Sequence, residues 1–360
     1  MYFRLNPECY LIRGDKRGAI YDLIEGDVYS LEPEETELIE RAERNEPADA
    51  DELFKKMESL NIGHFYEKPV YIEKLRIGSP IEEYQPGHPP QLNRALLEIN
   101  DSCSKDCPFC GTVHRSLGCM GCNVWNEERY LSTERWIDIV DQLADLGCRE
   151  LFISGGDLTQ EWERTLMILD RAKARMNVYV KLHNDFFQRV HKDIEGRATP
   201  IIQLDISDKP PETDGILLFT TETIPTALPE KSMIDYTGRD FSSKRKIPKT
   251  NLYQFFHNTK LHPCLGGSLT ISVSGNVLPC PMMRKPIGNV EKEELYDLFG
   301  EKKEEIEKYW NLTLDSIEKC KACEFRYACT ECRALEGELT GDTYGKKLCN
   351  YDPENGTWAD

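Results

Sequence analysis

The chain has 360 residues, 39% hydrophobic and 30% charged, with 45 Lys and Arg against 63 Asp and Glu, a net charge of −18. That balance supports a sizeable core and excludes wholesale disorder, and at about 150 residues per domain the length allows two or three domains. So acidic a chain, with no local basic run, argues against a nucleic-acid surface. No stretch approaches the roughly 20 apolar residues of a membrane span, and the N-terminus lacks the basic-then-apolar order of a signal peptide, so the expectation is a cytoplasmic protein with no membrane partner.

Residues 1–77 read as a small unit. Three β-prone runs at 9–12, 19–23 and 28–31 are punctuated by Gly14, Gly18 and Gly26. Glu32-Pro33-Glu34-Glu35 is an acidic helix start with proline in the first turn. A helix to about position 44 and a second at 48–60 follow, and 64–66 return as a strand. Strands, two helices and a wing make a winged-helix-like α+β outline. Gly78, Pro80, Pro86, Gly87, Pro89 and Pro90 mark 78–92 as a linker.

From 93 to 257 the pattern changes. Ala95-Leu96-Leu97-Glu98-Ile99 reads as a buried strand, followed by a loop dense in cysteine. Ser132 caps a helix that carries Trp136, Val140 and Leu143 on one stripe and closes at Gly147. The strand at 150–153 runs into Ser154-Gly155-Gly156-Asp157, and a helix at 161–175 and strands at 178–182, 200–206 and 215–220 continue the alternation. Strands separated by helical lengths are parallel βα units, too few for an eightfold barrel. The fold class is therefore α/β, a partial (β/α)6 TIM-like barrel. From about Asn258 the alternation stops, and 258–360 reads as a cysteine-rich unit interrupted by a helix at 291–309. That helix alternates Glu and Lys and reads as a solvated surface.

The cysteines carry the chemistry. There are 14, placed in clusters, and in a reducing compartment such a set points to metal binding or catalysis rather than disulfides. Cys103, Cys107 and Cys110 form Cys-x3-Cys-x2-Cys in the loop after the first barrel strand. Three thiolates at this spacing can hold three irons of a [4Fe–4S] cube, leaving the fourth iron open to a small molecule. The competing reading is a zinc site with His114 or Cys119 as fourth ligand. Gly118-Cys119-Met120-Gly121-Cys122 places a second Cys-x2-Cys in the same loop, open to a role as cluster ligand, hydrogen-atom donor, redox pair or none. Further on, Cys264 and Cys280 precede Cys320-x2-Cys323-x5-Cys329-x2-Cys332 and Cys349, a spacing that also suits a zinc ribbon. Cys9 and Cys148 read as buried small hydrophobes.

The Cys103-Cys107-Cys110 motif, with Phe109 before its last cysteine and a strand before its first, resembles the signature of the radical S-adenosylmethionine (radical SAM) superfamily. Ser154-Gly155-Gly156-Asp157 resembles that superfamily's Gly-Gly-Glu motif, with aspartate for glutamate. The resemblance implies that Cys103, Cys107 and Cys110 hold the catalytic [4Fe–4S] cluster, that Gly155, Gly156 and Asp157 receive the amino group of S-adenosylmethionine, and that Phe109 packs near the adenine. Asn184 matches the family's Thr-Asn-Gly position, although His183 and Asp185 replace its neighbours. The C-terminal cysteines resemble the SPASM extension, apart from a gap of two residues rather than three before Cys332. By that resemblance two auxiliary [4Fe–4S] clusters are implied, one on Cys320, Cys323, Cys329 and Cys349, the other on Cys264, Cys280 and Cys332 with one iron open. The first unit resembles precursor-recognition domains related to the peptide chaperone of pyrroloquinoline quinone biosynthesis, which take a leader peptide as an added strand. Together these imply a radical SAM peptide maturase. It would cleave S-adenosylmethionine to a 5′-deoxyadenosyl radical and take hydrogen from a ribosomally made precursor peptide, installing a thioether, another crosslink or an epimerised residue. An electron donor such as flavodoxin or ferredoxin would serve it. The alternatives are a side-chain oxidase like the anaerobic sulfatase maturases and, in another class, a non-catalytic zinc-binding scaffold.

Overall fold

The computed structural model describes residues 1–77, 92–105, 107, 110, 121–205, 211–220, 249–329 and 331–358. Phe109, Cys119 and the linker at 78–91 lie outside them.

The N-terminal unit opens with a strand the sequence reading did not anticipate, β1 (Tyr2–Leu5), which pairs antiparallel with β5 (Gly63–Tyr66). Between them β2 (Cys9–Arg13), β3 (Gly18–Asp22) and β4 (Val28–Leu31) form a three-stranded antiparallel sheet in the order β2-β3-β4. Helix α1 (Pro33–Glu43) starts at the expected acidic turn, where Glu32 and Glu35 form a reciprocal capping box. Helix α2 (Glu52–Ser59) is capped by Asp51, whose side chain accepts from the Phe54 amide at 3.1 Å. Phe3, Leu5, Ile20, Ile39, Phe54 and Met57 close over one another as this unit's core.

The larger body is an open eight-stranded sheet in the order β10-β9-β8-β7-β6-β11-β12-β13. Its strands are β6 (Arg94–Asn100), β7 (Glu150–Gly155), β8 (Asn177–His183), β9 (Thr199–Asp205), β10 (Ile216–Thr220), β11 (Ser268–Ile271), β12 (Asn276–Leu278) and β13 (Gly288–Asn289). The first six in chain order are parallel, and β12 and β13 turn back antiparallel. The alternation therefore does not stop at position 258. Helix α6 (Leu252–Lys260) leads into β11, which pairs with β6 as the sixth parallel strand. Nothing in the 258–271 stretch announces this, because the pairing partner lies far back in the sequence.

Three helices cover one face of the sheet: α3 (Thr133–Asp145), α4 (Trp162–Ala172) and α5 (Asn184–Ile194). Ser132 caps α3, its hydroxyl accepting from the Arg135 amide at 3.2 Å, and Gly147 ends the turn at φ +89°. Trp136, Ile139, Val140 and Leu143 of α3 and Ile168, Leu169 and Ala172 of α4 meet Leu97, Ile99, Leu151 and Ile153 of the sheet. Each such aliphatic or aromatic side chain contributes about 1.5–3 kcal/mol by leaving water. The helix expected at 291–309 is two, α7 (Leu295–Glu301) and α8 (Lys303–Trp310), broken at Lys302. It is not simply a solvated surface. Leu295, Leu298, Phe299, Ile306 and Trp310 are buried in the main core, and only the opposite face carries the Glu–Lys alternation.

The small unit docks on the cysteine-rich end of the chain. Ala19 and Tyr21 of β3 and Leu23 just after it pack with Phe255, Phe325, Ala328 and Tyr351. The Asp15 amide donates to the Ala322 carbonyl at 2.8 Å, and Arg326 donates to the Arg13 carbonyl at 3.0 Å. Among the described residues, no helix is long and apolar enough to cross a membrane.

Candidate iron–sulfur and cofactor sites

Parallel strands bring their C-terminal ends to one edge of the sheet, where open α/β folds build their sites. Asn100, Gly155 and His183 end β6, β7 and β8 on that edge. The loop bearing Cys103, Cys107 and Cys110 leaves from the end of β6, and the cysteines are partly buried there.

The tips of β6 and β7 are locked together through backbone. The Gly156 amide donates to the Asn100 carbonyl at 2.9 Å, and the Asp157 amide to the Ser102 carbonyl at 2.8 Å. Asn100 Nδ2 reaches the carbonyls of Ser102 at 3.0 Å and Asp157 at 2.9 Å. Gly155 sits at φ +143°, and a Cβ there would run into the Asn100 carbonyl; at Gly156 it would meet the Ser102 carbonyl. The two glycines thus let the β7 tip close directly on the backbone that carries Cys103. Asp157 is buried, and its carboxylate accepts from the Thr159 amide at 3.0 Å, capping the single turn Leu158–Glu161.

Other strand ends hold the same loop. Lys105 forms an ion pair with Asp185, and that hydrogen bond holds the Asp185 carboxyl below the usual carboxylate range. Asn184 is the first residue of α5, with its Oδ1 accepting from Gln188 at 3.3 Å, and His183 caps the helix through the Asp185 amide. Asp101 accepts the amides of Trp125 and Glu127, which ties the returning arm of the loop to its outgoing arm. Burial raises the Asp101 carboxyl pKa against these two bonds.

Sequence reasoning passed over a buried charged cluster beneath this loop. Glu98 of β6 is 5% exposed and pairs with Arg284 at 2.8 Å. Arg284 also pairs with Glu127 and stacks over Trp125, 4.5 Å from the ring centroid. Glu127 in turn accepts from Ser272 at 2.7 Å, so the segment that follows β11 meets the returning cysteine loop at one carboxylate. Burial pushes the Glu98 pKa up to about 7 despite Arg284. For Glu127 burial acts upward too, but hydrogen bonds from Ser274 and Ser272 and the charge of Arg284 outweigh it and hold the group low. The signal was a carboxylate inside an otherwise apolar strand. Lys181, buried inside β8 with its ammonium 5.7 Å from the Phe152 ring centroid, carries the same signal.

In the C-terminal stretch, Cys320, Cys323, Cys329 and Cys349 line one cleft together with Lys319, Arg326, Lys346 and Tyr351. Cys320 belongs to the one-turn helix α9 (Glu318–Lys321). Burial pushes its thiol up to about 12 and raises that of Cys323 as well. A metal centre held by these sulfurs would displace their protons to solvent, and the ammonium of Lys346, which lines the same cleft, would balance the resulting thiolate charge. Lys346 is held 3.1 Å from Glu331. Glu331 is itself buried: burial would raise its pKa, but Lys346, His262 and Arg333 hold it well down. The donor set, its enclosure and its cationic rim fit an iron–sulfur cluster. Among the described residues, no three His, Cys, Asp or Glu side chains converge as ligands of a single ion do.

Cys264 and Cys332 are joined through this network. The Cys264 amide donates to His262 Nδ1 at 3.0 Å, His262 Nε2 meets Glu331 at 2.7 Å, and Cys332 follows as the N-cap of α10 (Arg333–Thr340). Cys280 lies beyond β12, in a bridge with Met283. Cys9 and Cys148 are buried, and desolvation takes both thiols up to about 12.

Residues 263–324 match the SPASM family, an iron–sulfur cluster-binding domain. This stretch of the chain is therefore an iron–sulfur cluster-binding domain of the SPASM family. The match takes in Cys264, Cys280, Cys320 and Cys323; Cys329, Cys332 and Cys349 follow it. Among solved structures the chain is similar to SuiB of Streptococcus suis bound to S-adenosylmethionine, at 12% identity and a TM-score of 0.41, covering 96% of this chain and 99% of that one. SuiB bound to precursor peptide SuiA matches at 12% identity and a TM-score of 0.42 with the same coverage. No curated protein matches.

Proposed function

We propose that this protein is a radical SAM peptide maturase. One observation carries the reading. The Cys103-Cys107-Cys110 loop leaves the C-terminal end of a parallel strand and is bonded, backbone to backbone, to the Gly155-Gly156-Asp157 tip of the next strand. Residues 263–324 of the same chain match an iron–sulfur cluster-binding domain family.

In this reading Cys103, Cys107 and Cys110 hold a [4Fe–4S] cluster that, when bound, supplies one electron to the sulfonium of S-adenosylmethionine and so yields methionine and the 5′-deoxyadenosyl radical. The chain's own residues do the rest. Asn100 and the two glycines fix the loop on the strand ends, and Asp101 holds its returning arm. Buried Glu98, Lys181 and Gln203 make the sheet's strand ends polar where a substrate side chain would sit. Cys320, Cys323, Cys329 and Cys349 hold one auxiliary cluster, and Cys264, Cys280 and Cys332 a second. Such clusters, when bound, would supply an acceptor for an electron released on bond closure. The precursor peptide would add to the outer edge of β4, which pairs with β3 alone among the described residues. The product is a crosslink or an epimerised residue.

The test is anaerobic incubation of reconstituted protein with S-adenosylmethionine, dithionite and a synthetic copy of the peptide encoded beside its gene. 5′-Deoxyadenosine must form, and it must not form with Cys107→Ala. A peptide mass lower by two hydrogens marks a crosslink, and solvent deuterium gained at one position marks epimerisation. A colourless, zinc-loaded protein that releases no 5′-deoxyadenosine sinks the reading.

A further inference from the structure

The cysteine loop returns to the sheet through Cys122, and the structure fastens that return on three sides. Asp101 accepts the amides of Trp125 and Glu127. Val124 packs so near Gly156 that a Cβ there would stand 3.0 Å from its Cγ2. The Cys122 thiol donates to Gln203 Oε1 of β9 at 3.3 Å. The side chain is thus held over the same strand ends as the three motif cysteines. Gln203 is in register with His183 at the C-terminal end of β8, on the edge of the sheet where the cysteine loop leaves β6. Four thiols, not three, share the mouth of the sheet.

A cube has four irons, and three thiolates leave one bare. We propose that Cys122 is an exchangeable fourth thiolate of the cluster on Cys103, Cys107 and Cys110, covering its open iron until S-adenosylmethionine displaces it. The inference rests on the cluster assignment made above. The exchange transfers no electrons. The Cys122 thiol gives its proton to solvent when its sulfur takes the iron. When the amino and carboxyl groups of S-adenosylmethionine take that corner, the thiolate regains a proton and returns to the Gln203 carbonyl oxygen. The tether makes Cys122 a local competitor. It closes the cluster to water and oxidants between turnovers, and it weakens the apparent affinity for the co-substrate by the fraction of protein in the closed state.

The full-length chain, reconstituted with iron and sulfide in the absence of air, tests this by iodoacetamide labelling mapped to Cys122 by mass spectrometry. Iron loading should slow labelling of Cys122 at least about tenfold relative to the apoprotein, and saturating S-adenosylmethionine should restore it. In Cys107→Ala, which lacks the neighbouring cluster, loading should give no protection. Cys122→Ser should keep its iron, bind S-adenosylmethionine several-fold more tightly, and show by Mössbauer spectroscopy, without co-substrate, one iron site that has lost thiolate ligation. Equal labelling of apo and loaded wild type, or a Cys122→Ser variant with unchanged spectrum and affinity, overturns the inference alone. Full iron content in Cys107→Ala overturns the cluster assignment and the inference with it.

Discussion

The Tyr21 hydroxyl donates to the Glu324 backbone carbonyl at 2.8 Å, binding the middle strand of the N-terminal sheet to the residue that follows Cys323. Both groups are buried, and the Tyr21 ring packs edge-on to Phe255 at 5.3 Å. Tyr21→Phe keeps the ring and leaves the carbonyl without this donor, a loss of about 1–3 kcal/mol. The melting temperature should fall by several degrees, with the rest of the fold intact by circular dichroism. An unchanged melting curve would show the contact to be idle. Deleting the whole unit is a poorer experiment, because it uncovers Phe255, Phe325 and Tyr351.

Gly155 allows no side chain. At φ +143° an L-residue is strained, and its Cβ would collide with the Asn100 carbonyl. Gly155→Ala should cost at least about 2 kcal/mol from the backbone conformation and the steric clash together. It should also push the β6 and β7 tips apart, so S-adenosylmethionine binding by calorimetry falls along with stability. Wild-type affinity in this variant would separate the glycine from the cofactor site.

Glu98 gives a pH signature. Its carboxyl moves from an ordinary 4.5 to about 7 in the folded chain, chiefly through burial. The folded state therefore binds more protons than the unfolded state between those values, and stability falls as pH rises through the window. The contribution is complete below the ordinary value and gone above about 7. Glu98→Gln removes this titration. The melting temperature of the variant minus that of wild type should grow more positive from about pH 5 to about pH 8. A difference that stays flat or falls would mean that Arg284 keeps Glu98 ionised throughout.

Cys107→Ala should remove one cluster's worth of iron and all 5′-deoxyadenosine formation while leaving the iron on the C-terminal cysteines. Cys323→Ala should do the opposite, lowering iron yet sparing cleavage of S-adenosylmethionine without peptide. Iron analysis and chromatography read both, and equal iron loss with equal cleavage in the two variants would merge the sites that the structure keeps apart.

Local patterns made much of this legible. Cysteine spacing is a property of adjacent residues, and so are the caps at Ser132 and Glu32 and the apolar stripe of Trp136, Val140 and Leu143. Each forms wherever its own segment folds, so the strands, helices and thiol clusters could be read in chain order. Even Gly155 and Gly156 stood out, although what presses on them is the Asn100 and Ser102 backbone.

What only tertiary structure decided are pairings between distant segments. Strand β1 finds β5, and β11 returns beside β6 to extend the parallel sheet. Arg284 reaches back to Glu98, Tyr21 to Glu324, and the Cys122 thiol to Gln203 of β9. The reason is physical: an isolated segment records its own conformational preference, while the choice of partner depends on which apolar faces the whole chain can bury at once and which buried polar groups that burial forces to meet.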